Sequence, residues 1–150
     1  MDWDNLVRSY QLAASGKRGA AAVAAFEYGL GEHLLELRRD LMAGTWAPGP
    51  YVHFAIHEPK RRWISAAPFA DRVVHHALCR VMEPDFIADS FANRIGKGTH
   101  RAVDRFQQFS RRRAWVLRMD IRRYFPSIDH QILLGLLNRR SRDTRIVLLC

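Results

Sequence analysis

Asp120 closes the apolar run Val116-Leu117-Arg118-Met119, and the aromatic pair Tyr124-Phe125 follows it, with Ile128-Asp129-His130 behind. An acid where an apolar strand emerges from a core offers a hard oxygen ligand to a divalent cation. A bulky ring five residues later stands where a bound nucleotide's sugar could rest against it. Together they suit metal-assisted transfer of a nucleotidyl group, in which the ion activates the attacking oxygen and neutralises the leaving one. The competing reading is an edge-strand acid paired with Arg118 or Arg122, and Asp120 alone does not decide between them.

Other residues could grip a phosphorylated partner. Lys60, Arg61 and Arg62 form a basic cluster in which the arginine forks match phosphate oxygens, although charged turns are commonly just solvated. Arg94 and Lys97 flank glycines in Asn93-Arg94-Ile95-Gly96-Lys97-Gly98, which permits close backbone approach to a strand. Arg72 follows Asp71 at the start of a helix, so an ion pair competes evenly with a substrate contact. Asp129 reads as a helix N-cap ahead of any metal role. Gly96-x-Gly98 lacks the third glycine of a dinucleotide loop, and the seven histidines show no metal-binding spacing.

The elements that must position these groups follow from periodicity. Residues 3–14 read as a helix, ended by Gly16-Lys17-Arg18-Gly19. A longer helix from Ala20 carries Val23, Phe26, Leu30, Leu34, Leu37 and Leu41 at helical spacing, weakened in its middle by Gly29 and Gly31. Tyr51–Ile56 and Arg62–Ala66 alternate as a β-hairpin with a basic tip. Pro68 opens a helix over about 69–82, Glu83-Pro84 stops it, and Thr99 is the expected N-cap of a helix with Val103, Phe106 and Phe109 inside. Trp115–Ile121 is the expected strand beneath Asp120. Helices near His130 and Asp143 complete the chain.

Lys plus Arg outnumber the acids 24 to 15, a formal charge of +9, which favours a polyanionic partner. The 48% hydrophobic content excludes a disordered chain. No apolar run is long enough to span a bilayer, and the acidic Met1-Asp2-Trp3-Asp4 start does not suit a secretory signal. Cys79 and Cys150 cannot build a disulfide framework, and Cys79 reads as a reduced core thiol. A cytoplasmic protein with no membrane association is expected.

Three ordered blocks carry a resemblance. Asp120-Ile121-x-x-Tyr124-Phe125-x-x-Ile128-Asp129-His130 resembles the first catalytic motif of reverse transcriptases, of the bacterial group II intron-like and diversity-generating retroelement type. Upstream, Lys60-Arg61-Arg62-Trp63-Ile64-Ser65-Ala66-Ala67-Pro68-Phe69-Ala70-Asp71-Arg72-Val73-Val74-His75-His76-Ala77-Leu78 is similar to the fingers segment of those enzymes. Glu83-Pro84 followed by Ser90-Phe91-Ala92-Asn93-Arg94-Ile95-Gly96-Lys97-Gly98-Thr99-His100 is similar to their next block. The resemblance covers roughly residues 50–135.

It implies an α+β fold, the fingers and start of the palm of a right-hand polymerase, with fingers over 1–112 and an incomplete palm over 113–150. It implies an RNA template, a DNA primer, deoxynucleoside triphosphates and Mg²⁺, with Mn²⁺ as a substitute. Asp120 and the Ile121 carbonyl would hold metal. Phe125 would pack against the sugar, with Arg62, Arg61 and Lys60 on the triphosphate, and with Arg94, Lys97 and Arg72 on template or primer. Tyr124 is expected in the core.

The match lacks one part. The second motif, an aromatic-x-Asp-Asp hairpin, is absent, because the sequence contains no Asp-Asp pair. The expectation is therefore a truncated, N-terminal polymerase part that is inactive alone, with the rest of the palm on a further polypeptide or lost. The chain ends inside the apolar run Ile146-Val147-Leu148-Leu149-Cys150, as an interrupted domain would. The alternative from another class is a non-catalytic nucleic-acid-binding module derived from the polymerase fold.

Overall fold

The computed structural model describes residues 2–57, 59–85, 88–94, 96–141, 144–147 and 149. It divides into two compact units, Met1–Pro84 and Asp85–Cys150.

In the first unit, α1 (Trp3–Ala14) packs along α4 (Phe69–Met82). Leu6, Tyr10, Ala13 and Ala14 recur on one face of α1, and all are buried with Val73, Val74, Ala77 and Leu78 of α4. One polar clasp joins the two helices: Asn5 Nδ2 donates to the Ala77 carbonyl at 3.0 Å, and Arg80 Nε donates to Asn5 Oδ1 at 2.8 Å.

The long helix expected from Ala20 is two helices, α2 (Ala21–Tyr28) and α3 (Leu30–Ala43). Gly29 leaves the helical region at φ −117°, ψ 38°. The His33 ring stacks on Phe26 with centroids 5.0 Å apart, and its Nδ1–H donates to the Phe26 carbonyl at 2.9 Å. A Cβ at Gly29 would lie 3.1 Å from His33 Cε1, so the glycine admits the ring that stabilises the break. α3 ends at Gly44, whose φ of 70° only a residue without Cβ adopts cheaply.

Three rings close the core of this unit. Phe26 and Phe69 meet edge to face at 5.1 Å, and Tyr10 meets Phe69 edge to face at 6.4 Å. Tyr10 keeps its polar end satisfied by donating to Glu27 Oε1 at 2.6 Å. Asp71 is buried with no cation in ion-pair distance among the described residues; its Oδ2 accepts the Gly49 N–H at 2.9 Å and fastens the segment before the hairpin to α4.

The hairpin forms as expected, from β1 (Val52–Ile56) and β2 (Arg62–Ala66), antiparallel, with Phe54 opposite Ile64. Its apolar residues Val52, Phe54 and Ile56 remain exposed. Cys79, expected in the core, is also exposed, because its position on α4 faces away from α1.

In the second unit, α5 (Gly98–Ser110) begins without a side-chain cap, so Thr99 is inside the helix rather than its N-cap. The φ of 79° at Gly98 turns the chain into the helix instead. Val103, Phe106 and Phe109, expected on its inner face, are about half exposed.

The expected strand Trp115–Ile121 is absent: these residues form no ladder, and Trp115, Leu117 and Met119 are 92%, 80% and 81% exposed. Alternating apolar residues make a strand only when a neighbour takes their backbone hydrogen bonds, and among the described residues none does. Tyr124, expected in the core, is half exposed for the same want of a covering layer.

A 3₁₀ turn at Phe125–Ser127 leads into α6 (His130–Arg140), and α7 (Thr144–Val147) follows. The expected start at Asp143 lies outside the described residues, as does Cys150. Asp129 caps α6 as expected, its Oδ1 accepting from Gln131 N at 2.9 Å and Ile132 N at 3.0 Å. Asp129→Ala should cost about 1 kcal/mol of helix stability, read as a loss of far-ultraviolet helical signal, whereas Asp129→Asn should retain most of it.

Candidate nucleic-acid and nucleotide site

Asp120 is exposed, and its Oδ1 accepts the N–H of its own neighbour Ile121 at 3.0 Å. Among the described residues Oδ2 takes no hydrogen bond, and neither Arg118 nor Arg122 lies within ion-pair distance. The edge-strand ion pair that competed for this acid is therefore not formed. The following turn is built on Arg123, a non-glycine residue at φ 52°. Left-handed backbone at such a residue costs about 1–2 kcal/mol. It is held by Ser127 N donating to the Arg123 carbonyl and Ser127 Oγ donating to the Tyr124 carbonyl, at 3.1 and 2.8 Å. The result displays Phe125, 81% exposed, with its ring edge to face on Tyr124 at 5.3 Å. Nothing in the sequence marks Arg123 as the residue that takes this conformation.

In the same unit, the glycine loop turns through Asn93 at φ 55°, Gly96 at 72° and Gly98 at 79°. Lys97 is drawn into its own loop: its ammonium donates to the Ala88 carbonyl and lies 5.1 Å from the Phe91 ring centre. Arg94 stands in the turn closed by Lys97 N donating to the Arg94 carbonyl at 3.2 Å.

The remaining basic candidates belong to the first unit. Lys60, Arg61 and Arg62 are exposed at the hairpin tip, where Arg62 pairs in register with Ile56. The Arg61 guanidinium lies over the Trp63 ring at 5.4 Å, which fixes its plane and leaves its edge open. Arg72 is half-buried with its guanidinium over the Phe69 ring at 5.3 Å, and its Nε has no hydrogen-bond partner among the described residues. The ion pair weighed evenly against a substrate contact for Arg72 is not formed among the described residues, and the neighbouring Asp71 Oδ2 accepts from Gly49 N instead. Asp120, Ile121, Phe125, Arg94 and Lys97 thus share the second unit, and the hairpin cations and Arg72 share the first.

Among the described residues no three histidine, cysteine or acidic side chains converge on a metal position. Asp120 and the Ile121 carbonyl are hard oxygen donors of the kind Mg²⁺ takes, with water filling the remaining positions. They suit a share in one ion and are too few to hold two. No helix of the described residues is long and apolar enough to cross a membrane.

The site thus offers a solvent-facing carboxylate, a displayed ring and basic turns. No family profile matches the chain. It is similar to group II intron-encoded protein LtrA of Lactococcus lactis subsp. cremoris, 26% identical over 122 residues, 77% of this chain and 20% of that protein. It is similar to protein YkfC of Escherichia coli (strain K12), 29% identical over 124 residues, 75% of this chain and 32% of that protein. The uncharacterized mitochondrial protein ymf11 of Marchantia polymorpha is 31% identical over 75 residues, 50% of this chain and 10% of that protein. The chain thus spans between 10% and 32% of the length of these relatives. These weak relatives, a group II intron-encoded protein among them, are consistent with the reverse-transcriptase resemblance read from the motifs and bear it out as a likeness.

Proposed function

We propose that these residues are the fingers, over 1–112, and the first palm motif, over 113–150, of an RNA-directed DNA polymerase that adds deoxynucleotides to a DNA primer on an RNA template. The observation that supports this reading most is Asp120, a carboxylate with one oxygen unengaged among the described residues, followed by the displayed ring of Phe125. Asp120 and the Ile121 carbonyl contribute oxygen ligands. Mg²⁺, or Mn²⁺ in its place, supplies charge neutralisation at the transferred phosphoryl group when bound. Phe125 stands against the sugar. Arg62, with Arg61 and Lys60, holds the triphosphate; Arg94, Lys97 and Arg72 hold template or primer.

One carboxylate cannot hold two divalent ions against their hydration, so the 150 residues do not polymerise by themselves. Primer extension on an RNA template, with Mg²⁺ or Mn²⁺, should stay at the level of the Asp120→Ala chain; extension above it would overturn this inactivity. A palm polypeptide carrying an aromatic-x-Asp-Asp hairpin, added in trans or fused, should restore extension that Asp120→Ala returns to background. Oligonucleotide binding that persists without such restoration would favour the second reading, a non-catalytic nucleic-acid-binding module.

A further inference from the structure

The C-terminal end of α5 carries a cleft that the motifs do not account for. It has a volume of about 240 Å³ and is lined by Arg105, Gln108, Phe109, Arg111 and Arg112. That is room for a phosphodiester group rather than a whole cofactor.

Its base is pre-organised. Arg105 forms a two-pronged pair with Asp89, Nε to Oδ1 at 2.8 Å and an Nη to Oδ2 at 3.1 Å. The same guanidinium lies over the Phe109 ring at 4.4 Å, so ring and carboxylate together fix its plane. Arg105 also donates to Gln108 Oε1 at 3.1 Å, which leaves the Gln108 amide NH₂ to donate elsewhere. The bond to Arg105 holds the Asp89 carboxyl below its usual range, so the pair stays ionised at neutral pH.

Two charges remain uncompensated. With Arg105 neutralised by Asp89, Arg111 and Arg112 have no acid within ion-pair distance among the described residues. Cations at a helix C-terminus ordinarily serve its free carbonyls. Here three of the last four carbonyls are already taken by backbone N–H groups: Gln107 O by Arg111 N at 3.1 Å, Phe109 O by Arg112 N at 3.0 Å, and Ser110 O by Arg113 N at 3.3 Å. Backbone donors thus do most of the capping, and among the described residues neither the Arg111 nor the Arg112 guanidinium donates to a helix carbonyl.

We infer that Arg111 and Arg112, over the Arg105–Phe109 base, form a cradle for the phosphodiester backbone of a nucleic-acid strand, additional to the hairpin and glycine-loop cations. This inference rests on the nucleic-acid reading above. A strand is favoured over a free anion because both charges lie on adjacent residues beside an apolar ring, which suits a backbone running past them.

The test is binding of a labelled 20-nucleotide RNA, followed by fluorescence anisotropy across salt concentrations. Arg111→Ala/Arg112→Ala should weaken binding roughly tenfold or more at about 0.1 M salt and flatten the salt slope by about 1.4, two single-strand phosphate contacts. Arg38→Ala/Arg39→Ala on α3, exposed and equal in charge lost, should change affinity less than about twofold. Equal losses in the two variants would show a net-charge effect and overturn the cradle while leaving the nucleic-acid reading intact. Wild-type chain that binds no RNA at all would overturn both. Inorganic phosphate that displaces the RNA at matched phosphate concentration would overturn the strand assignment in favour of a free-anion site.

Discussion

Phe69→Ala is expected to destabilise the first unit by about 3–5 kcal/mol, the range for emptying a fully packed aromatic position. Phe69 is 4% exposed and touches Phe26 at 5.1 Å and Tyr10 at 6.4 Å, so its removal leaves both rings without an edge partner. It also strips the surface over which the Arg72 guanidinium lies. A domain of this size has about 5–15 kcal/mol of stability to lose. Thermal unfolding should therefore shift down by about 15 °C or more, or the unit should fail to fold. Phe125→Ala is the matching control: its ring is 81% exposed, and stability should change by less than about 0.5 kcal/mol. A Phe69→Ala chain that melts with the wild type would show that the three-ring core does not hold this unit together.

RNA binding is expected to weaken about 100-fold between about 50 and 200 mM salt, if roughly five of the candidate cations meet phosphates of a single strand. The expectation follows from counterion release, with a slope of about −0.7 per contact. Lys60, Arg61, Arg62, Arg94, Lys97 and Arg72 are the candidates, set in a chain of formal charge +9. Lys97 should contribute least, since its ammonium already serves the Ala88 carbonyl. Asp120→Ala should leave the slope unchanged, because a metal ligand releases no counterions from the strand. An affinity indifferent to salt would remove the nucleic-acid partner altogether and leave a helical protein whose charge is incidental.

Much of the local structure was legible in the residues. Pro68 and the Val73–Val81 spacing mark α4, Asp129 marks the start of α6, and the alternation on either side of Lys60-Arg61 marks the hairpin. These are short-range signals, set by which neighbours one turn or one pleat brings together. The break at Gly29 was visible only as weakness. What settles it is His33 folding back onto Phe26, a ring placement that composition does not specify.

The candidate site divides in the same way. The types and order of Lys60–Arg62, Asn93–Gly98 and Asp120–Phe125 were enough to reach the resemblance that the group II intron-encoded relatives bear out. The left-handed turn at Arg123 was not, since arginine has no preference that announces it. Nor was the Arg105–Asp89 pair, whose partners are sixteen residues apart, although the i, i+4 spacing of Arg105 and Phe109 was there to be read.

By itself, the sequence determined where helix forms, though not the break at Gly29, together with the hairpin, the basic character and the motif order, because each depends on residues close along the chain. Only the tertiary structure decided which apolar faces are covered. It buried α1 against α4, and it left Val52, Phe54 and the whole of Trp115–Ile121 open. The physical reason is that a helix satisfies its own backbone, whereas a strand and an apolar face are completed only by a neighbour supplied from elsewhere.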